Sequence, residues 1–91
     1  MEELDELRAQ IDRLDEDIIA KMSERQKIVE AVRKYKQQRN IAVFDPKREE
    51  YLEVYHTRLS KQYKVSIEFI KNLFKLIMDE SKRIQNNTHR L

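Results

Sequence analysis

The chain has 91 residues, of which 40% are charged, and its 19 basic and 17 acidic side chains are interleaved along its length. It contains no cysteine and no glycine, which excludes a disulfide framework, thiol chemistry and the glycine-rich loops that bind phosphate. The near balance of charge argues against general nucleic-acid binding, and the lack of a long apolar run argues against a membrane span.

The absence of glycine and the single proline predict an all-α protein, with one domain over residues 1–91. The first helix should run over about 4–39, because apolar residues recur at helical steps from Leu4 to Met22. At about 1.5 Å per residue this helix would be roughly 54 Å long, more than a compact domain of this size can cover. Its exposed apolar seam predicts a homodimer in which the long helices pack on each other.

Two further helices follow, which gives three helices per chain. Residues 40–45 form a connection, and Asp45-Pro46 predicts the start of a second helix over about 46–63. Aspartate can cap free backbone N–H groups, and proline suits the first helical position. Ser66 is the expected cap of a third helix over about 67–88.

Polar side chains interrupt the apolar line of each helix. Arg25 falls on the seam of the first helix, Lys36 lies almost on the same line, and Arg48 precedes the apolar line of the second. Ser81 and Gln85 share one face of the third helix. Because an uncompensated buried charge is costly, these groups either satisfy one another, fix the register of a dimer, or bind a ligand.

The surplus of positive charge in this set favours a small anionic, hydroxylated ligand. The three cations just named outnumber the two acids at the start of the second helix, Asp45 and Glu49. Arginine donates in a fork that suits carboxylates or phosphates. No nucleophile–base pair or metal-ligand spacing is found, no cofactor is predicted, and His56 and His89 are expected at the surface. Any chemistry would rest on positioning and electrostatics.

The order and spacing of these residues closely resemble the all-helical chorismate mutases, in particular the dimeric bacterial and archaeal type. The resemblance is carried by Arg8, LDE at 14–16, ER at 24–25, Lys36, DPxRE at 45–49 and DESxxxQ at 79–85. It covers nearly the whole chain. It implies a three-helix protomer intertwined with a second copy, and a cytoplasmic isomerase of aromatic amino-acid biosynthesis that rearranges chorismate to prephenate without a cofactor. The lack of cysteine fits that location.

The resemblance also implies how the two carboxylates of chorismate are bound. Arg25 would bind one of them, and Arg8 would reach the other from the partner chain. Within one straight helix these two arginines are roughly 25 Å apart, so they cannot meet at one small ligand. Arg48 and Ser81 would complete the pocket wall and the carboxylate contacts.

The remaining roles concern the ether oxygen and the ring hydroxyl. The resemblance implies that Lys36 and Gln85 donate to the ether oxygen of the breaking bond, so that they and Arg25 are the catalytic residues. Glu49 would accept from the ring hydroxyl, helped by the backbone of Asp45. Family members with glutamate in place of Gln85 need it protonated, whereas an amide always donates, so a flat rate profile across neutral pH is expected.

Two other functions stay open. An isochorismate–pyruvate lyase resembles this fold and binds a similar dianion, although DPxRE with Glu49 favours the mutase, whose substrate hydroxyl needs an acceptor. A non-catalytic helical dimerisation or regulatory domain is the other possibility. Such a domain would have no use for the polar set as a whole.

Overall fold

The computed structural model describes residues 1–86, which form three α-helices and no strand. Helix α1 spans Glu2–Gln38, α2 spans Pro46–Gln62 and α3 spans Ile67–Asn86. The prediction of an all-α chain of three helices with a very long first helix is therefore confirmed. The end predicted for the third helix near residue 88, and His89, lie outside the described residues. No described helix combines the length and apolar character that crossing a membrane requires.

The starts of α2 and α3 use the signals expected from the sequence. Asp45 Oδ1 accepts a hydrogen bond of 3.1 Å from the backbone N–H of Arg48, and Pro46 occupies the first turn of α2. Ser66 Oγ accepts a bond of 3.2 Å from the backbone N–H of Phe69. Each side chain satisfies a backbone donor that has no partner within its own helix, which fixes where the helix begins.

The ends of α1 and α2 use left-handed residues other than glycine. Asn40 has a φ of 55°, and just beyond it the backbone N–H of Ile41 donates to the carbonyl of Lys36 over 2.9 Å. Lys64, after the end of α2, has a φ of 57°. Asparagine tolerates this region better than most residues, since its short polar side chain bonds locally. The turn at Asn40 reverses the chain toward α2.

Helix α3 packs against both α1 and α2, but the three helices bury few side chains between them. Val29 is the only buried apolar residue in the described part of the chain, beside the buried Ser60 and Ser81. The radius of gyration is 16.8 Å, against about 12 Å for a compact domain of this length. Large apolar side chains along the N-terminal half of α1 are 41–61% exposed, namely Leu4, Leu7, Ile11, Leu14 and Ile18.

Candidate active site

A cavity of about 310 Å³ lies where the C-terminal half of α1, the connection to α2, the start of α2 and the end of α3 meet. Seven of the eight site residues predicted from the sequence line it: Arg25, Lys36, Asp45, Arg48, Glu49, Ser81 and Gln85. Lys82 also lines the cavity. The rest of the wall is apolar and is formed by Ile28, Val29, Val32, Val43, Leu52 and Met78. An apolar wall with a few convergent polar groups is typical of small-molecule sites.

Arg25 reaches from α1 to α3. Its Nη1 donates a hydrogen bond to Ser81 Oγ, and the Ser81 hydroxyl donates in turn to the backbone carbonyl of Ile77 over 2.9 Å. Burial, and then the nearby positive charge of Arg48, lower the pKa of Arg25 from its ordinary value. Both effects disfavour the charged form of Arg25. An anion bound beside this guanidinium would offset them, because an opposite charge favours the charged form.

Lys36 lies on the same side of α1 as Arg25, because a spacing of eleven residues brings a helix back to within roughly 20°. Its Nζ donates to the backbone carbonyl of Val43 over 3.0 Å, and its side chain is half-buried. The left-handed turn at Asn40 returns the chain so that Val43 passes this ammonium. An ammonium carries three donors, so Lys36 keeps two for a ligand.

The first turn of α2 brings Arg48 and Glu49 to the cavity. Asp45 accepts from the backbone N–H of Arg48, so its carboxylate holds the start of the helix while the side chains beyond it line the cavity. The guanidinium carbon of Arg48 lies 5.2 Å from the centre of the Tyr51 ring, within the range of a cation–π contact. Arg48 therefore packs on an aromatic surface rather than on an acid.

Two side-chain oxygens at the cavity have no hydrogen-bond partner among the described residues. Glu49 Oε1 accepts from Lys82 Nζ over 3.1 Å, while Glu49 Oε2 is buried and unpaired. Gln85 Oε1 is also buried and unpaired. Because buried polar atoms are normally paired, these oxygens mark positions where a ligand can complete the hydrogen bonding. Rotation of the Gln85 amide would exchange its oxygen for the Nε2 donor.

The side chains that line the cavity carry a surplus of two positive charges. Two carboxylates stand against four cations: Arg25, Lys36, Arg48 and Lys82. Within residues 1–86, neither Arg25 nor Arg48 forms an ion pair with an acid. A compact ligand with two negative charges, such as a dicarboxylate, complements this arrangement.

Arg8 does not line the cavity of its own chain. It is exposed on the N-terminal half of α1, roughly 25 Å from Arg25 along the helix axis. At this distance Arg8 cannot reach a small ligand bound by Arg25 of the same chain. Its predicted role depends on a partner subunit.

Two features of the structure were not expected from the sequence. Lys82 was missed, although its position three residues before Gln85 puts both side chains on one face of α3. The expectation that His56 lies at the surface was wrong, since it is half-buried with its ring centre 3.9 Å from that of Phe74. Burial, and then the charges of Arg25 and Arg48, lower the pKa of His56.

Comparison with known proteins identifies the family. The family model for chorismate mutase type II matches residues 7–86. A chorismate mutase of Methanocaldococcus jannaschii is 29% identical over 85 residues, which cover 93% of this chain and 86% of that protein. A bifunctional chorismate mutase/prephenate dehydratase of Aquifex aeolicus is 39% identical over 62 residues, which cover 68% of this chain and 17% of that protein. With the family model matching most of its length, including the seven predicted site residues at the cavity, the chain belongs to the chorismate mutase type II family.

Proposed function

We propose that this chain is an isomerase that converts chorismate to prephenate in the cavity described above, as part of aromatic amino-acid biosynthesis. The observation that carries this function is the convergence of four cations and one unpaired Glu49 oxygen on one small cavity. Chorismate is a dicarboxylate with one ring hydroxyl, so its charges and its hydroxyl donor complement those groups. A cytoplasmic location stays a prediction from the cysteine-free composition.

The reaction is an intramolecular [3,3] rearrangement, so it needs no acid, base or nucleophile from the protein. A carbon–oxygen bond breaks while a carbon–carbon bond forms within the same molecule. Free chorismate seldom adopts the folded conformation in which the two reacting ends meet. Binding both carboxylates in fixed positions selects that conformation and supplies much of the acceleration.

The second contribution is electrostatic. As the carbon–oxygen bond lengthens, negative charge grows on the ether oxygen, and donors aimed at that oxygen stabilise the transition state more than the substrate. We assign this role to Lys36, which keeps two donors free of the Val43 carbonyl, and to Gln85 through its amide nitrogen. Neither group has to transfer a proton.

The substrate is held by the remaining groups. We assign one carboxylate to Arg25, with Arg48 and Ser81 completing the contacts on that side of the cavity. Glu49 Oε2 is the acceptor for the ring hydroxyl, because its other oxygen is engaged by Lys82. Asp45, which lines the same cavity at the start of α2, would assist Glu49 through its backbone.

We further propose that the active protein is a homodimer in which Arg8 of one subunit completes the site of the other. The accessible surface of the chain is 8021 Å². A compact monomer of this mass exposes about 5,700 Å², so roughly 2,300 Å² more is open than expected. That excess, on each of two chains, is the size of an obligate interface. The exposed seam of α1 supplies an apolar surface for it.

An assay with two substrates tests the proposed function. Purified protein is incubated separately with chorismate and with isochorismate, and the formation of prephenate and of pyruvate is followed. We expect prephenate from chorismate and no pyruvate from either substrate. Pyruvate from isochorismate would instead indicate the lyase, and neither product, with no binding of either dianion, would indicate a non-catalytic domain.

A further inference from the structure

Lys82 forms a contact between α3 and the start of α2, and Lys82 itself has no role among those assigned above. Its Nζ lies 3.1 Å from Glu49 Oε1, across 33 residues of sequence. The two side chains are 38% and 32% exposed, so the pair is partly shielded from solvent. Lys82 Nζ also lies 5.7 Å from the ring centre of Phe44, in the connection before α2. Its ammonium is thus held by contacts on two segments.

The ion pair decides which oxygen of Glu49 is available to a ligand. A carboxylate on a flexible side chain can rotate to exchange its two oxygens, but a charge-assisted hydrogen bond to one of them opposes that rotation. Glu49 Oε1 is bound by Lys82, and Oε2 is left buried without a partner. A partly exposed ion pair contributes little to stability. The effect of this ion pair is to orient the Glu49 carboxylate.

We propose that Lys82 is a positioning residue that acts through Glu49, holding the carboxylate so that Oε2 accepts the substrate hydroxyl and so setting the preference for a hydroxylated dicarboxylate. The proposal rests on the proposed function, since it concerns the same cavity. It assigns Lys82 no contact with the substrate. Its neighbour Ser81 holds Arg25 from the same turn of α3, so this turn orients groups of both other helices.

Single substitutions test whether Lys82 matters. Lys82→Met removes the donor but keeps most of the length of the side chain, and we expect kcat/KM for chorismate to fall about tenfold, since charge-assisted hydrogen bonds are among the stronger ones. Lys82→Arg restores a cationic donor and should keep kcat/KM within about threefold of wild type. Wild-type kcat/KM in Lys82→Met would overturn the proposal.

A matched control uses another lysine of α3. Lys75 pairs with Asp79 over 3.3 Å on an exposed surface and does not line the cavity. Lys75→Met should leave kcat/KM unchanged. Circular dichroism and solution mass establish that each variant keeps the helical content and the assembly of the wild type, so that a loss of activity reports on the site.

A double-mutant cycle separates positioning from direct binding. If Lys82 acts through Glu49, then adding Lys82→Met to Glu49→Ala should change kcat/KM by less than about twofold, because the group being positioned is already absent. A loss that is equally large in both backgrounds would mean that Lys82 touches the substrate itself, which would overturn the proposal.

A pair of dicarboxylate inhibitors that differ only in one hydroxyl group gives a second readout. Wild type should bind the hydroxylated compound more tightly, and Lys82→Met should reduce that preference while binding the other compound about equally. An unchanged preference would contradict the proposal. Failure of the proposed function has a different signature, because wild type itself would then form no prephenate and both proposals would fall.

Discussion

The guanidinium groups of Arg25 and Arg48 border one cavity, and the charge of Arg48 adds to burial in lowering the pKa of Arg25. The only hydrogen-bond partner of the Arg25 side chain among residues 1–86 is a serine hydroxyl, which carries no charge. Repulsion between the two arginines is therefore left for a ligand to relieve. A dianion bound there gains from both groups at once.

Removal of the cationic group of Lys36 or of Arg25 should nearly abolish turnover. Lys36→Ala should lower kcat by about 10²–10³-fold, the usual effect of losing a donor aimed at a developing oxyanion. Arg25→Ala should raise KM as well, because it removes a carboxylate contact. Steady-state kinetics with chorismate measures both effects. Lys34→Ala, which changes an exposed lysine outside the cavity, is the control, and wild-type rates in Lys36→Ala or Arg25→Ala would contradict the assigned roles.

The amide of Gln85 should make the rate insensitive to pH near neutrality. Gln85→Glu replaces a permanent donor with a group that donates only when protonated, so kcat/KM should fall about 10²-fold at neutral pH and recover as the pH is lowered. Profiles of wild type and variant from pH 5 to 8 test this. A flat profile for Gln85→Glu would argue against a donor role at this position.

The sequence predicts which residues share a line on one helix. That was enough to place Arg25 with Lys36, and Ser81 with Gln85, on common helix faces. It could not predict that Lys82 contacts Glu49, because helical periodicity carries no information about a contact between residues 33 apart in the chain. The surface expectation for His56 was wrong for the same reason. Its burial comes from Phe74 on another helix.

At the scale of elements, α3 links the other two helices. Two adjacent residues of one turn reach in different directions, Ser81 to Arg25 on α1 and Lys82 to Glu49 on α2. A shift of α3 by one residue would misplace both contacts together. The register of α3 therefore sets the geometry of the cavity, and the packing around His56 and Phe74 helps to hold that register.

The packing of His56 of α2 against Phe74 of α3 should make the stability of the protein depend on pH. Burial and two arginines lower the pKa of His56 in the folded chain, whereas an unfolded histidine titrates near about 6.5. As the pH falls through that value, the unfolded chain binds a proton that the folded chain does not, so the free energy of unfolding decreases until the folded pKa is reached.

Denaturant unfolding at pH 7.5 and 5.5, at one fixed protein concentration, tests this dependence. Wild type should lose more stability between the two pH values than His56→Leu, because the variant has no group to protonate at this site. His89 is common to both proteins and cancels. Equal losses in the two proteins would contradict the prediction.

The helix starts could be predicted because their signals are local, as at Asp45 with Pro46 and at Ser66. The ends of α1 and α2 lie within one residue of the predicted positions near 39 and 63, although the left-handed residues that follow them, Asn40 and Lys64, could not be predicted as such because neither is glycine. Such a conformation depends on how the following segment packs, which a short window of sequence does not report.

At the scale of the whole molecule, the site as proposed is shared between two chains. The predicted position of the partner's Arg8 can be tested by mixing Arg8→Ala and Arg25→Ala proteins, unfolding them together and refolding them. Half of the dimers would be mixed, and each mixed dimer would hold one intact site, so about a quarter of wild-type activity should return. Each variant refolded alone is the control. Activity no higher than that of the separate variants would contradict a site completed by the partner's Arg8.

The length of α1 and its apolar seam predict that the chain forms an oligomer. The leucines and isoleucines of this seam are exposed in the structure, so they are available to a second chain. The pairing geometry could not be predicted. Periodicity identifies an apolar stripe but does not say which stripe of a second chain meets it, or in what register.

With Val29 as the one buried apolar side chain in the described part of the chain, an isolated polypeptide has only a small apolar core. Regain of helical signal after dilution from denaturant should then follow second-order kinetics, and a tenfold lower protein concentration should lengthen the half-time about tenfold. A half-time independent of concentration would show that single chains fold first and dock afterwards. If the association of two chains limits the rate of folding, a newly synthesised chain becomes ordered only when it binds a second copy.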